Sequence, residues 1–359
     1  MTTQHEIALL RIAAQRLADP GAATPAEAIR RLAAVQAQDY GGALTSVALR
    51  TRARTRQAVE VALDAGEIVR SWPMRGTLHF VAAEDLPWML ELSAERAMSG
   101  SAARRTGLGL DTPELERARE LAVDALAGGR RLGREDLLSV WREGGLATAG
   151  QRGYHMLGHL ARTGTLCFGP VRDGEQLIVL IDEWIPRPRR LGREEALGEL
   201  AGRYFTGHGP ATVQDFARWA ELGVTEARAG LALAAPGLSR LDLDGVEHFM
   251  DPHAPDLLAA CRSRARSVFL LPGFDELILG YLDRRAVLPA EFTRRVFPGG
   301  GIFRPTVVSD GRVIGTWKHT GRGARRTVAA TPFAPSTGGD SAFPGGISEE
   351  IARAYATLP

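Results

Sequence analysis

LGREDLLSVWREGGL (132–146) and GPATVQDFARWAELGV (209–224) decide the fold, because they are the same sentence written twice. Each opens on a polar helix start with an acidic residue in its first turn. Each carries an apolar stripe, and each places a tryptophan, Trp141 or Trp219, shortly before a glycine stop. Each leads into a second helix rich in Ala, Arg and Leu: AGQRGYHMLGHLARTG (149–164) and TEARAGLALAA (225–235). Strand-like segments follow both. TLCFGPV and QLIVLID flank Arg172-Asp173-Gly174, and LSRLDLDGVEHFM folds back at Asp244-Gly245. Helix, helix, helix, hairpin is the order of a winged helix.

Residues 24–82 repeat the order more loosely. Thr24-Pro25-Ala26-Glu27 is a helix start, with a Thr N-cap, Pro at the first helical position and Glu closing a capping box. The spacing predicts helices over 24–37, 43–53 and 56–66. The strands IVRSW and TLHFVAA follow, joined by Pro73-Met74-Arg75-Gly76. Ile29, Leu32 and Ala33 share one helical face, and Gln36 continues that stripe where an apolar residue is expected. On an unbroken helix, Gln36 and Gln38 point about 200° apart. They can act on one object only if the helix ends between them. From residue 267 the texture changes to short strands and tight turns such as Asp310-Gly311, which predicts a small β-rich cap. Residues 334–346 are loop-like, and a terminal helix capped by Ser348 follows.

Composition narrows the function. No run of 18 apolar residues occurs, so no membrane span is expected. Cys167 and Cys261 form neither a metal cluster nor a disulfide framework, which suits a reducing cytoplasm. Net charge is +2, and Lys318 is the single lysine among 44 basic residues. Any Schiff-base mechanism must therefore use Lys318 or the N-terminal amine. HExxH, CxxC and GxxxxGK[ST] are all missing, and Gly107-Leu108-Gly109 lacks the dinucleotide fingerprint. His155 and His159 are four apart, which is metal-compatible, but no third ligand is near in sequence. No metal and no cofactor is expected.

A winged helix docks on DNA by placing a helix in the major groove and fixing register on phosphates, although the same module also serves protein–protein contacts. Arginine clusters are spread evenly along the chain, Arg50/Arg52/Arg54/Arg56 among them. The first wing is the most promising contact element. Arg75, Thr77 and His79 share a face if the strand starts at the turn. Asp275-Glu276, near a turn, reads as the clamp holding the β cap to the third unit.

VQAQDYGG (35–42), IVRSWPMRGTLHFV (68–81), LLPGFDELILGYLDR (270–284) and GIFRPTVVSDGRVIGTWK (301–318), in that order and spacing, resemble the AlkZ/YcaQ superfamily of winged-helix DNA glycosylases over nearly the whole chain. The resemblance implies an α+β, mainly α fold: three tandem winged-helix motifs in a C-shaped arrangement, with a small C-terminal β-rich cap. The expected limits are 1–106, 107–190, 191–266 and 267–359. It also implies a catalytic Gln-apolar-Gln motif, matched here by Gln36 and Gln38. YcaQ-like members carry Gln-apolar-Asp there, so this chain resembles the AlkZ-like branch.

The implied activity is a monofunctional glycosylase on N7-alkylated guanine, without lyase activity. Crosslink unhooking and resistance to alkylating natural products belong to the same expectation. DNA contacts are expected from Arg50, Arg75, Thr77, His79 and Lys318. The partner is double-stranded DNA carrying alkylated purines. The protein is expected to be a cytoplasmic, nucleoid-associated monomer with no membrane attachment. The competing reading is a non-catalytic winged-helix regulator that binds undamaged DNA.

Overall fold

The computed structural model describes residues 3–321, 325–333, 343 and 345–359. The first part of the chain runs α1 (Gln4–Ala14), α2 (Pro25–Leu32), β1 (Val35–Gln36), α3 (Tyr40–Ala48), α4 (Arg56–Asp64), β2 (Ile68–Met74) and β3 (Thr77–Ala82). The middle part runs α5 (Leu86–Gly107), α6 (Thr112–Leu126), α7 (Arg134–Glu143), α8 (Arg152–Arg162), β4 (Leu166–Arg172), β5 (Glu175–Leu180) and α9 (Ile181–Trp184). Then come α10 (Arg193–His208), α11 (Val213–Ala220), α12 (Val224–Ala234), β6 (Ser239–Leu243), β7 (Val246–Met250) and α13 (Ala254–Ala265). The last part holds β8 (Phe269–Leu271), α14 (Glu276–Leu279), α15 (Thr293–Val296), β9 (Thr306–Ser309), β10 (Arg312–Thr320), β11 (Thr327–Pro332) and α16 (Ile347–Ala356). The fold is α+β and mainly α. The loop expected over 334–346 lies mostly outside the described residues.

Three helices followed by a hairpin occur three times: α2–α4 with β2–β3, α6–α8 with β4–β5, and α10–α12 with β6–β7. The hairpins share one turn chemistry. Arg75-Gly76, Asp173-Gly174 and Asp244-Gly245 each put two consecutive residues at positive φ, and Asp310-Gly311 does the same between β9 and β10. That is the type I′ geometry, whose twist matches the strands it joins.

The chain folds into two compact units, residues 59–197 and a discontinuous one made of 1–58 with 198–359. In the first, the strands run β3-β2-β4-β5, all antiparallel. Trp72, Trp141, Met156 and Ile178 form its core, and the Trp141 indole donates to the Ala118 carbonyl at 2.9 Å. In the discontinuous unit, α1 packs along α13, and Ile7, Leu10, Leu258, Leu277 and Val308 share one core. The sheet β11-β10-β9-β8 with α16 builds the expected β-rich C-terminal layer around Leu270, Val307, Trp317 and Ile351.

The entry to the Gln36 segment follows from its caps. Thr24 Oγ1 accepts the Glu27 amide at 3.1 Å, while the Glu27 carboxylate accepts the Ala23 amide at 2.7 Å. The helix then stops at Leu32, earlier than the expected residue 37. Ala33 turns to φ 63°, outside helical space, although it is fully buried. Apolar periodicity could not reveal this stop, because Ala33 continues the buried stripe on either backbone.

Candidate active site

Gln36 closes β1, and Gln38 stands two residues on, just before Asp39 at the start of α3. Since α2 ends before both glutamines, the helical divergence between them disappears. Gln36 is 7% exposed, and Gln38 is exposed. The turn Pro272–Phe274 runs close by: a β-carbon on Gly42 would lie 3.3 Å from Pro272 Cβ and 2.6 Å from an Asp39 carboxylate oxygen. Gly42 therefore leaves the room that Asp39 and Pro272 occupy.

Beneath this segment lies a buried polar network. The Gln36 main-chain N–H donates to Glu276 Oε1 at 3.1 Å. Glu276 Oε2 accepts the Trp219 indole N–H at 2.9 Å and faces His208 Nε2 at 3.3 Å. Burial lowers the His208 pKa, against the opposing pull of Glu276. The neutral imidazole therefore donates from Nε2. The His208 ring stacks on Tyr204 at 4.7 Å. The Tyr204 hydroxyl donates to the Gly280 carbonyl, and the Tyr281 hydroxyl to the His208 carbonyl, each at 2.7 Å.

Asp275 starts α14, accepting the Leu277 amide at 3.0 Å. It also takes both arms of Arg50 at 2.9 Å and the Ser46 hydroxyl at 2.6 Å. Arg50 passes the chain on to Gln15 at 2.7 Å, and Gln15 donates to the Tyr281 hydroxyl at 3.0 Å. Arg11 covers the Tyr281 ring at 3.6 Å and donates to the Pro210 carbonyl at 3.0 Å.

The residues expected to contact DNA are placed as follows. Arg50 is 1% exposed and both its Nη groups are taken by Asp275, Ser46 and Gln15, so it sits inside the scaffold. Arg75 lies in the turn, not on the strand. It still reaches His79, donating from Nη2 to Nε2 at 2.9 Å, while His79 Nδ1 donates to the Thr77 carbonyl at 2.8 Å. His79 is fully buried with both ring nitrogens occupied, so it braces the wing from within. Thr77 Oγ1 is buried without a partner. Lys318 is exposed on β10, opposite Ala329 of β11. Gln36, Gln38, Arg50 and Lys318 belong to the discontinuous unit, and Arg75, Thr77 and His79 to the other.

Asp275-Glu276 does more than clamp the cap. Asp275 bonds to Ser46 and Arg50, whereas Glu276 joins Trp219 and His208 to Gln36. The signal for it was available in sequence: two adjacent acids inside the apolar run LLPGFDELILGY. Acids so placed are buried only when paired. His208 had no such signal.

Among the described residues, no cluster of His, Cys, Asp or Glu could hold a metal ion. His159 is pushed down to about 4 by burial and by the arginines Arg105 and Arg162. That cationic setting disfavours a metal there. No described helix is long and apolar enough to cross a membrane.

The depressed histidines make stability fall in acid. His208, His248 and His159 all titrate below the ordinary 6.5 in the folded protein, each mainly through burial. Above that value both states are neutral there and nothing is lost. Below it the unfolded chain takes up protons that the folded chain refuses, and stability drops. Melting temperature should hold from about pH 8 to 7 and decline from about pH 6.5 downward. A flat profile to about pH 5 would contradict these burials.

Known proteins show the same architecture. A solved structure described as Streptomyces sahachiroi DNA glycosylase AlkZ superposes with a TM-score of 0.77 at 26% identity, covering 99% of this chain and 98% of that one. A curated relative from Streptomyces sahachiroi, an interstrand DNA cross-link repair glycosylase, is 29% identical over 326 residues, or 86% of this chain and 84% of its own. Such likeness defines the protein as a DNA glycosylase, a hydrolase of N-glycosyl bonds whose substrate is DNA. The family model for AlkZ-like DNA glycosylases matches residues 29–357, and the chain belongs to that family.

Proposed function

We propose that the protein hydrolyses the N-glycosidic bond of N7-alkylguanine in duplex DNA, with Gln36 and Gln38 as the catalytic residues. The observation supporting this is the pair of glutamines: Gln36 held through its main-chain N–H by a buried carboxylate, and Gln38 exposed two residues later. Amides do not titrate near neutral pH, so they act by position. They can orient a water, or turn their dipoles toward a sugar that is becoming an oxocarbenium ion. Glycoside cleavage ordinarily needs an acid to protonate the leaving group. An N7-alkylated guanine already carries positive charge and departs without one. Intact guanine lacks that charge and leaves far more slowly, so the lesion supplies much of the selectivity.

The single lysine, Lys318, is exposed on a strand, and we assign it to phosphate contact with no Schiff-base role. The relative that repairs interstrand cross-links supports the further reading that this enzyme unhooks such adducts and protects its host from natural alkylating agents. We retain the three winged-helix units as the frame for that substrate.

The test is direct. Purified protein mixed with a duplex bearing N7-methylguanine should release free N7-methylguanine and leave sites that break in hot alkali. Absence of release by the wild-type protein across a panel of N7 adducts would overturn the proposal. So would persistent release after Gln36→Ala/Gln38→Ala. A second expectation concerns salt. Contacts to phosphates release counterions, so affinity for a duplex should fall by about tenfold or more between 50 and 200 mM salt. Affinity unchanged over that range would remove the phosphate contacts.

A further inference from the structure

We infer that Glu276 is the positioning residue for Gln36, an inference that rests on the glutamine site proposed above. Gln36 has only one short strand and a broken helix to define it. Its main-chain N–H is buried, and the acceptor that meets it comes from 240 residues further along the chain. Glu276 is itself immobilised. It is 0% exposed, begins α14, and has its second oxygen fixed by the Trp219 indole and by neutral His208. Three N–H donors from three separate segments thus converge on one carboxylate. The carboxylate in turn sets the height of Gln36 relative to α11 and α10. The neighbouring Asp275 fixes Arg50 and Ser46 at the end of α3, so adjacent acids pin both flanks of the VQAQDYGG segment. Glu276 is sealed from solvent. Its role runs through the Gln36 main chain, and a displacement of about 1 Å at such a residue can lower a rate by about a hundredfold.

Glutamine at position 276 keeps the shape but presents an NH2 group where two oxygens each now accept. Glu276→Gln should lower the single-turnover excision rate at saturating enzyme by about 10- to 100-fold, with affinity for an abasic-site duplex changed by less than about threefold. Glu276→Asp, which keeps the charge but withdraws it, should fall between. In a Gln36→Ala background the Glu276→Gln step should add less than about threefold, because the side chain it positions is gone. A Glu276→Gln rate within threefold of wild type while Gln36→Ala is slow removes Glu276 alone. Undiminished loss in the Gln36→Ala background also overturns the role, showing that Glu276 acts elsewhere. A wild-type rate from Gln36→Ala by itself removes the glutamine, and this role of Glu276 with it. Amide exchange in the wild-type protein reads the contact without any substitution. The Gln36 amide should be strongly protected, and exchange at loop rates would overturn the inference.

Discussion

Arg50→Ala should cost the protein about 3–5 kcal/mol of stability, because it leaves Asp275 as a lone charge in a dry interior. Asp275 and Arg50 are 0% and 1% exposed, so neither can recruit water once the other is removed. The damage spreads beyond the pair. Arg50 also holds Gln15, which donates to Tyr281, and Tyr281 ties down the end of α10 through the His208 carbonyl. At roughly 2–4 °C per kcal/mol for a unit of this size, the melting temperature should drop by about 10 °C. Adding Asp275→Asn should restore part of the loss by removing the stranded charge, but not all of it. The Ser46 hydroxyl and the Leu277 amide would still meet an altered acceptor. Differential scanning calorimetry of the two variants decides the matter. A shift under about 2 °C for Arg50→Ala would mean that the ion pair is not formed as described.

Alanine at Gln36 or Gln38 should leave the melting temperature within a few degrees and yet reduce the excision rate by about 10²–10³, the usual cost of losing one aimed dipole at a charge-developing centre. The two losses should combine to less than their product, since the proposed mechanism has both side-chain amides act on one water and one sugar. Affinity for undamaged duplex should barely move. The pH profile distinguishes this mechanism from an acid-catalysed one. With amides as the working groups and a leaving base already cationic, the rate on N7-methylguanine should stay level between about pH 6.5 and 8.5. A bell-shaped profile would assign the work to a titrating side chain, and alanine variants that excise at the wild-type rate would exclude both glutamines.

Much of this molecule can be read from its residues, and the limits have physical causes. The paired tryptophans located the repeats, because each is a large apolar side chain in the buried last turn of its helix; the stop itself differs, Gly144 after the first and Glu221 at positive φ after the second. Yet Trp141 donates to a main-chain carbonyl, whereas Trp219 donates to Glu276. Local spacing cannot tell these acceptors apart, because the acceptor lies far along the chain. The Asp-Gly turns were legible for the opposite reason, since positive φ at two successive residues is a local demand. Arginine content alone does not show that Arg50 is buried. A charge looks alike in sequence whether it faces solvent or an acid from another segment, and only burial separates the two. His79 lies in the first hairpin with both ring nitrogens bonded inside the fold. The departure of the chain from helix after Leu32 hung on a single buried alanine at positive φ, which no periodicity encodes.

The discontinuity of the larger unit has a consequence during synthesis. The segment carrying both glutamines leaves the ribosome early, but the carboxylate that seats Gln36 follows 240 residues later. In between, residues 59–197 can collapse on their own core. Until translation has passed the Asp275-Glu276 turn, a nascent chain lacks the acceptor of the Gln36 main-chain N–H. Premature termination anywhere upstream yields a fragment in which Gln36 has no seat.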